Sequence, residues 1–467
     1  MTAVTTPPVS GTARTAADVL RPVVRAVFGD DLPVTLRCWD GSRIEATTVV
    51  DLTTDGRSSV RAPNRVLDVR SPLALRRMLW TPGEIGVARA YVAGELDFSG
   101  DVFEFLSLRD HFGAASGRPG FRPGLPGWFH AARAATELGV LGPPPAVPPE
   151  EVRIHGRRHS RARDASAISH HYDVSNDFYR LFLGETMTYS CGYFPTPTTS
   201  LDDAQRMKYE LVCRKLGLRP GMRLLDVGCG WGGMVLHAAE HYGVEAVGVT
   251  LSTEQAELAR ARVAAAGLED RIEIRVQDYR DVHDTPFDAI SSIGMFEHVG
   301  LSRLREYFAD LFVLLRPGGR LLNHGISTPK ANGRFDRRSF INRYVFPDGE
   351  LHEVGRVVST MQAQGFEVRD VESLREHYAR TLRHWVANLE TRLADAVALT
   401  GEGRVRVWRL YMAGSALGFE DGTIGIHQVL AGRKRPGGGS GFAPTRDDWA
   451  VPLPDTADDA RVRSGGG

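Results

Sequence analysis

The sequence predicts an α/β protein, with a doubly wound, mostly parallel sheet preceded by a smaller N-terminal α+β domain. From Gly221 onward, apolar strand-like runs alternate with helical stretches, a pattern typical of a parallel sheet with helices on both faces. The run Arg223 to Val227 leads into a turn with glycine at 228, 230 and 232, and a helix is expected from Gly233 to Tyr242. Short alternating runs between Pro33 and Val69 predict a separate small sheet.

Composition limits the classes of function. The 467 residues suffice for two or three domains, and 42% are hydrophobic. Lys+Arg and Asp+Glu are both 57, which argues against a nucleic acid as partner. The four cysteines lack C-x-x-C spacing, so we expect no metal site and a reducing, cytoplasmic compartment. We find no signal peptide and no run of about 18 apolar residues, so membrane contact should be peripheral.

The N-terminal part divides into a disordered start, residues 1–15, and a domain that spans residues 16–112. Ser71 and Pro72 are suited to the cap and first position of a helix. We expect this domain to associate with lipid and not to carry the chemistry. Its predicted helices are Asp18 to Phe28, Ser71 to Trp80, Ile85 to Val92 and Val102 to Leu108.

A linker is predicted over residues 113–165. Gly113 to Pro149 is rich in Gly, Pro, Ala and aromatic residues, which suits an irregular connector. A basic segment follows, and it is either a solvated linker or a docking patch for anionic lipid headgroups. Its basic residues are Arg153, His155, Arg157, Arg158, His159, Arg161 and Arg163.

The catalytic domain is expected over residues 166–433, followed by a disordered tail over 434–467. His377 to Phe419 reads mainly as helix, an insertion long enough to cover a pocket. The other predicted helices are Thr253 to Ala266 and Ser302 to Leu315. The predicted strands are Arg223 to Val227, Glu245 to Thr250, Arg271 to Val276, Phe287 to Ile293, Arg320 to His324, Phe366 to Val371 and Ile424 to Leu430.

Several motifs indicate a family. The G-x-G-x-G turn after Asp226 resembles motif I of S-adenosylmethionine-dependent methyltransferases, and it differs from the dinucleotide-binding spacing G-x-G-x-x-G. Four further motifs are His170 to Tyr179, Met187 to Phe194, Gly294 to Gly300 and Tyr344 to Gly349. Together they resemble the cyclopropane-fatty-acid synthase family, which includes the mycolic acid cyclopropane synthases. This resemblance implies a class I, Rossmann-like methyltransferase that transfers methyl to a cis double bond in a lipid acyl chain.

Cofactor-binding residues follow from the resemblance and from simple chemistry. Backbone N–H groups of the glycine turn can bind the methionine carboxylate, and polar residues after the second strand can contact the ribose. The alternative to cofactor binding for Thr250 and Gln255 is a structural role, as a helix cap and as an exposed helical residue. The candidate residues are Tyr189, Ser190, Asp226, Gly228, Gly230, Gly232, Thr250, Leu251, Gln255, Asp278 and Tyr279.

The reaction that the resemblance implies leaves a carbocation on the acyl chain. Aromatic walls would exclude water and stabilise the charge, and we expect Tyr193, Phe194, Phe296 and Tyr344 in this role. Family members hold bicarbonate as the base. Singly, Cys191, Tyr378 and His324 could also be packed structural residues. Carried over by motif, the bicarbonate site comprises Cys191, Glu297, His324, the Ile326 backbone and Tyr378.

One position departs from the family. Many members have a cysteine in the helix after Tyr411 to Gly414, and this chain has Ser415 there. A thiolate at that point is therefore excluded, which favours the bicarbonate mechanism.

The leading hypothesis is an enzyme that acts on phospholipid acyl chains at the inner face of the membrane and forms a cyclopropane. One alternative has the same methyl transfer followed by a hydride shift, which gives a methylene branch. A catalytically silent lipid-binding homologue and a methyltransferase for soluble small molecules are further alternatives. The double-bond position, the acyl carrier, a reductase that acts on the product and a homodimer stay open.

Overall fold

The computed structural model describes residues 14–30, 32–47, 65–107, 125–152, 175–329, 333–334, 339–347 and 349–449. The chain divides into two compact units, one of residues 1–151 with 402–410 and one of 152–401 with 411–467. The basic segment and residues 1–13 lie outside the described residues. Thr15 was expected to be disordered but caps the first helix, and Arg14 donates to Glu137 at 2.9 Å.

The first unit combines a small sheet with helices, as predicted. Its four strands are ordered β2-β1-β3-β4, and β1 and β3 are parallel while the outer pairs are antiparallel. Ser71 caps the second helix and Pro72 is its first residue, as expected. The elements are α1 Ala16–Phe28, β1 Thr35–Cys38, β2 Arg43–Ile44, β3 Val66–Val69, α2 Pro72–Trp80, α3 Glu84–Val92, β4 Leu96–Ser99, α4 at 102–107 and α5 Leu125–Glu137.

Helix α5 lies inside the stretch predicted to be an irregular connector, so that prediction was wrong there. Ala134 of α5 is buried in one core with Leu20 of α1, and small side chains allow two helices to approach closely. This packing overrides the weak helical signal of a Gly- and Pro-rich neighbourhood. The unit also continues past residue 112, to Glu151, whose carboxylate accepts two hydrogen bonds of 2.7 Å from Arg89.

The second unit contains the doubly wound, mostly parallel sheet that the sequence predicts. Its seven strands are ordered β12-β13-β9-β8-β5-β6-β7. The adjacent strands β9, β8, β5, β6 and β7 are mutually parallel. β13 is antiparallel to both of its neighbours, β12 and β9. The strands are β5 Arg223–Val227, β6 Glu245–Thr250, β7 Ile272–Val276, β8 Phe287–Ile293, β9 Leu315–Ser327, β12 Phe366–Ser373 and β13 Gly425–Arg433, and β10 Gly333–Arg334 pairs separately with β11 Glu350–Leu351.

Helices cover both faces of this sheet. One core packs three helices, Leu201–Leu216, Gly233–Tyr242 and Thr253–Ala265, against it. A second core packs Leu304–Leu314 and Val354–Ala363 against the opposite face. The strand order reverses at β5, which has β6 on one side and β8 on the other, so a crevice is expected at the carboxyl ends of these strands. The helices are α6 Asn176–Leu183, α7 Leu201–Leu216, α8 Gly233–Tyr242, α9 Thr253–Ala265, α10 Leu304–Leu314, α11 Val354–Ala363, α12 Arg375–Thr391, α13 Leu393–Thr400 and α14 Glu402–Glu420.

The tail prediction was wrong up to residue 449. The Phe442 ring lies 4.3 Å from the Arg320 guanidinium, and Arg446 pairs with Asp370 at 3.1 Å. These contacts order the residues that follow β13, and residues 450–467 lie outside the described part. Across the part of the chain that the structure describes, no helix combines the length and the apolar character that crossing a bilayer requires.

Candidate active site

A cavity opens at the carboxyl ends of β5, β6, β7 and β8, where the strand order predicts a ligand site. It is lined by the glycine turn after β5, by residues that follow the other three strands and by the segment 187–190. All the predicted cofactor residues except Gly232 belong to this lining. They are Tyr189, Ser190, Asp226, Gly228, Gly230, Thr250, Leu251, Gln255, Asp278 and Tyr279.

The glycine turn leaves room for a ligand. Gly230 has φ 54°, a region that side-chain-bearing residues rarely adopt, and an added Cβ would meet no protein atom within 4 Å. Because Gly230 lines the cavity, this space fits a bound molecule. Gly232 has a different role, since its added Cβ would lie 3.2 Å from the Cβ of Ala259 in α9. It therefore allows α9 to pack against the start of α8.

Several amides of this turn are already used within the protein. The N–H groups of Gly228 and Cys229 both donate to the carbonyl of Val249 at 3.0 Å, and Gly232 donates to Cys229 at 2.9 Å. The turn is thereby fixed to the end of β6. For these three amides, the expectation that they bind a carboxylate does not hold.

The residues after β6 form a buried polar pair. The Thr250 hydroxyl donates to the Gln255 side-chain oxygen at 2.9 Å. Ser252, and not Thr250, caps α9 by accepting from the Gln255 amide. The structural alternative, with Thr250 as a helix cap and Gln255 as an exposed residue, is therefore wrong.

The carboxylates of the lining have defined partners. Asp226 accepts from the Ser291 hydroxyl at 2.7 Å, and burial raises the pKa of Asp226 to about 6. Asp278 pairs with Arg280, whose Nε donates at 2.8 Å. Tyr279 is buried and its ring packs edge-on against Tyr307 at 5.2 Å.

Two residues of α7 that the sequence analysis missed hold the segment 187–190. Gln205 donates to the carbonyl of Ser190 at 2.8 Å, and Lys208 donates to the Ser190 hydroxyl at 2.9 Å. Both side chains are buried. In the same segment Met187 has φ 50°, a strained conformation that residues other than glycine seldom adopt outside functional sites. The segment is therefore fixed against the cavity by α7.

Glu297 follows β8, between the cavity-lining residues Met295 and His298. Its Oε1 accepts from the Ile326 amide at 2.6 Å, and its buried Oε2 has no protein partner among the described residues. Burial raises the pKa of this carboxyl to about 7. The Ile326 amide, expected to face bicarbonate, is thus occupied by Glu297.

Cys191 and His324 lie near Lys208, whose charge affects the pKa of both groups. The Cys191 thiol is buried and directed at the carbonyl of Gly192, 3.2 Å away. Burial holds its pKa far above the ordinary value, as it does for Cys213 and Cys229, and raises the pKa of Cys38 to about 11. Burial holds the pKa of His324 well below its usual value, so the imidazole is neutral, and its buried Nε2 has no partner in the described structure.

An aromatic cluster adjoins the cavity. The Tyr189 hydroxyl donates to that of Tyr411 at 3.0 Å, and the Tyr189 ring stacks on Trp385 at 5.2 Å. Tyr378 packs edge-on against Trp385 at 6.0 Å. Trp231 also lines the cavity. This cluster brings the predicted residues Tyr189 and Tyr378 together, and the sequence pattern did not identify Tyr411 or Trp385.

The aromatic residues predicted to line the acceptor pocket are not part of this cavity lining. Phe194 lies beneath the Arg380 guanidinium at 4.3 Å, and Tyr193 stacks on His377 at 4.9 Å. Phe296 belongs to the core beneath the sheet, and Tyr344 stacks on Phe340 at 5.2 Å. Their role as walls of an acceptor pocket stays a prediction.

Comparison with known proteins gives matches at the level of family and fold. Residues 159–429 match the family described as mycolic acid cyclopropane synthetase. The chain is 45% identical over 400 residues to a protein of Mycobacterium tuberculosis named as a probable fatty acid methyltransferase, covering 82% of this chain and 90% of the relative. It is 40% identical over 421 residues to a protein of the same description from Pseudomonas putida, covering 89% and 96%.

A solved structure gives the same result. The crystal structure of mycolic acid cyclopropane synthase CmaA1 complexed with SAH and CTAB matches with a TM-score of 0.54 and 37% identity. The match covers 57% of this chain and 97% of that structure.

Proposed function

The chain belongs to the mycolic acid cyclopropane synthetase family of S-adenosylmethionine-dependent methyltransferases, and on this premise we propose that it modifies unsaturated acyl chains of phospholipids. The product we propose is a cyclopropane, formed at a cis double bond. The observation that carries the proposal is the buried Glu297 carboxylate, which has one unpartnered oxygen and is flanked by residues of the cofactor cavity. A carboxylate in this position is suited to hold, through a hydrogen bond, the base that removes a proton.

S-adenosylmethionine, when bound, supplies an electrophilic methyl group on a sulfonium. The open space at Gly230 and the buried pair of Thr250 and Gln255 fit this cofactor. Tyr189 and Ser190 would hold its methionine end, while Asp278 and Tyr279 would flank the adenine. The residues that line the cavity thus include a set for each part of the molecule.

The acceptor must be kept from water after it gains a methyl group, because a carbocation then forms on the acyl chain. Tyr189 and Trp231 line the cavity; Trp385 stacks on Tyr189, and Tyr378 packs in turn on Trp385. Each aromatic face can stabilise a nearby cation by about 0.5 to 2 kcal/mol. We therefore propose that this cluster helps to shield and stabilise the cation.

We propose bicarbonate as the base, held near Glu297 and His324. Both side chains have a buried polar atom without a partner in the described structure, Glu297 Oε2 and His324 Nε2. Oε2 can accept a hydrogen bond from the hydroxyl of bicarbonate, and neutral His324 can donate to one of its oxygens. With Ile326 occupied by Glu297, the backbone contributes less to this site than the family resemblance implies.

Two alternative functions are compatible with the same fold. A hydride shift before proton loss would give a methylene branch, and an inactive lipid-binding homologue would bind cofactor without turnover. Mass spectrometry of lipids from cells that express the chain tests all three. A gain of one CH2 supports transfer, fragmentation after ozonolysis separates the ring from the branch, and an unchanged lipid profile would contradict the proposal.

We also propose that the protein acts at the cytoplasmic face of the membrane. The first unit exposes Leu73 and Trp80 on one face of α2, and Trp80 donates through its indole to the carbonyl of Gly142, beside exposed Leu141. An exposed Trp with neighbouring apolar side chains is suited to the bilayer interface. The homodimer and the absence of a nucleic-acid partner stay predictions.

A further inference from the structure

Lys208 is a buried cation in the wall of the cofactor cavity. Its side chain is 1% exposed, its Nζ donates to the Ser190 hydroxyl at 2.9 Å, and it lies 4.0 Å from the centre of the Tyr209 ring. Within the described part of the chain it forms no ion pair. Burial lowers the pKa of Lys208 to about 7, and it outweighs the electrostatic effects of Cys191 and Asp226, which act in the opposite direction.

Lys215, two turns further along α7, shows how this fold stabilises a buried lysine. It is also buried, and its Nζ pairs with Asp370 at 3.3 Å and with Glu372. A buried cation without such a partner is costly, and the cost falls when an anion binds next to it. Lys208 is the buried lysine that faces the cavity, so the missing anion is expected to come from a ligand.

Part of the glycine turn is unavailable to the cofactor carboxylate. The amides of Gly228, Cys229 and Gly232 are bonded within the protein, so they do not compete for a ligand carboxylate. Ser190 accepts from Lys208, and its own hydroxyl proton is then available to an acceptor in the cavity. We infer that Lys208 and Ser190 together bind the carboxylate of the methionine part of S-adenosylmethionine. This inference rests on the proposed function.

A second anion must be distinguished. Lys208 also acts electrostatically on Cys191 and His324, two residues of the proposed bicarbonate site. The experiment therefore compares S-adenosylhomocysteine, 5′-methylthioadenosine and bicarbonate as ligands. Methylthioadenosine keeps the adenosine and the thioether and lacks the carboxylate and the amino group. Only the first ligand can report on a carboxylate contact made by the cofactor.

The test is calorimetric titration of the full-length protein and its Lys208→Met variant. Loss of a charged hydrogen bond should weaken S-adenosylhomocysteine binding by at least about tenfold, while methylthioadenosine affinity changes by less than about threefold. Ser190→Ala should show the same selectivity with a smaller loss. Arg206→Met, which removes an exposed cation from the same helix, is the matched control and should bind like wild type. Circular dichroism checks that each variant is folded, and Lys208→Gln replaces Lys208→Met where the latter is not.

The outcomes separate the inference from the proposed function. If wild type does not bind S-adenosylhomocysteine, the proposed function fails. If wild type binds it and the Lys208 variants bind it equally well, the inference is overturned. Equal loss for both nucleoside ligands would reduce Lys208 to a shape-determining residue, and a selective loss of bicarbonate binding would assign the cation to the other anion. Both of these results contradict the inference.

Discussion

The Glu297 carboxylate, in the turn after β8, is held by the backbone of β9, since Oε1 lies 2.6 Å from the amide nitrogen of Ile326. This bond fixes the carboxyl group and leaves Oε2 buried without a partner among the described residues. Replacement by Gln would preserve the shape, and its side-chain oxygen could still accept from Ile326. The ability to take up a proton would be lost.

We therefore expect Glu297→Gln to keep its S-adenosylhomocysteine affinity within about twofold and to lose at least about tenfold in turnover, a barrier increase of about 1.4 kcal/mol or more. Because burial raises the pKa of Glu297 to about 7, the ionised form is depleted as pH falls below that value. Wild-type turnover should therefore decrease as the pH falls below this pKa, and the turnover of Glu297→Gln should not show that decrease. Identical pH profiles would show that ionisation of Glu297 is not required for turnover.

Gly230→Val should abolish cofactor binding without unfolding the protein. A valine side chain would fill the open space beside the turn and would also be strained at φ 54°. Gly267→Val is the matched control, because Gly267 has φ 64° and similar open space but does not line the cavity. Calorimetry should show loss of binding only in the first variant. Equal affinity in both variants would remove the glycine turn from the cofactor site.

Tyr378 and Ser415 should differ in their effect on turnover. Tyr378→Phe keeps the ring that packs on Trp385 and removes only the hydroxyl, which the family resemblance assigns to the bicarbonate site. We therefore expect this variant to lose at least about tenfold in turnover with near-normal cofactor affinity. Ser415→Ala should stay largely active, and added bicarbonate should stimulate bicarbonate-depleted wild type. If Ser415→Ala is as inactive as Glu297→Gln and bicarbonate has no effect, the base assignment is wrong.

The exposed apolar surface formed by Trp80 of α2 and the nearby Leu141 should insert into lipid. Trp80 is 54% and Leu141 is 60% exposed, and burial of their apolar surface contributes about 25 cal/mol per Å². The double variant Trp80→Ser, Leu141→Ser should reduce liposome binding in a sedimentation assay at all salt concentrations. Val313→Ser, at a position 69% exposed in the second unit, is the control. If Val313→Ser reduces liposome binding equally, the reduction comes from adding any polar residue to the surface and not from the loss of Trp80 and Leu141.

The basic segment should act through charge alone. Replacing Arg157, Arg158 and Arg161 with Gln should weaken binding to anionic liposomes mainly at low salt, where surface charges are least screened. Liposomes of neutral lipid provide the control. Binding that is indifferent to both the substitutions and the salt would make this segment a plain linker.

The sequence predicts the central sheet well because its strands are short apolar runs between clear breaks. β5, β6 and β8 have the bounds that were expected. β9 begins at Leu315, earlier than expected. Pro317, Gly318 and Gly319 are typical of a turn, so the sequence predicts a strand only after them, but in the structure they belong to β9. Helix α5 and the ordered residues around Phe442 depend on distant partners, which local composition does not show.

For the site, motifs identified residues that line the cavity but not the residues that support them. Lysine in a helix normally indicates an exposed face, yet Leu201, Lys208 and Val212 are spaced to share one buried stripe of α7. That spacing is the signal that could have found Lys208. No local pattern shows that Glu297 takes the Ile326 amide, since the bond joins the turn after β8 to a residue of β9.

All four cysteines are buried and have no disulfide partner, and the pKa of each thiol is raised. A thiol can react with an alkylating reagent only after it becomes accessible and loses its proton. In the native protein, modification of Cys229 in the glycine turn and of Cys191 beside Ser190 therefore requires local opening of the structure. The rate at which these two cysteines are alkylated, followed by peptide mass spectrometry, would time that opening, and a tightly bound cofactor should slow it.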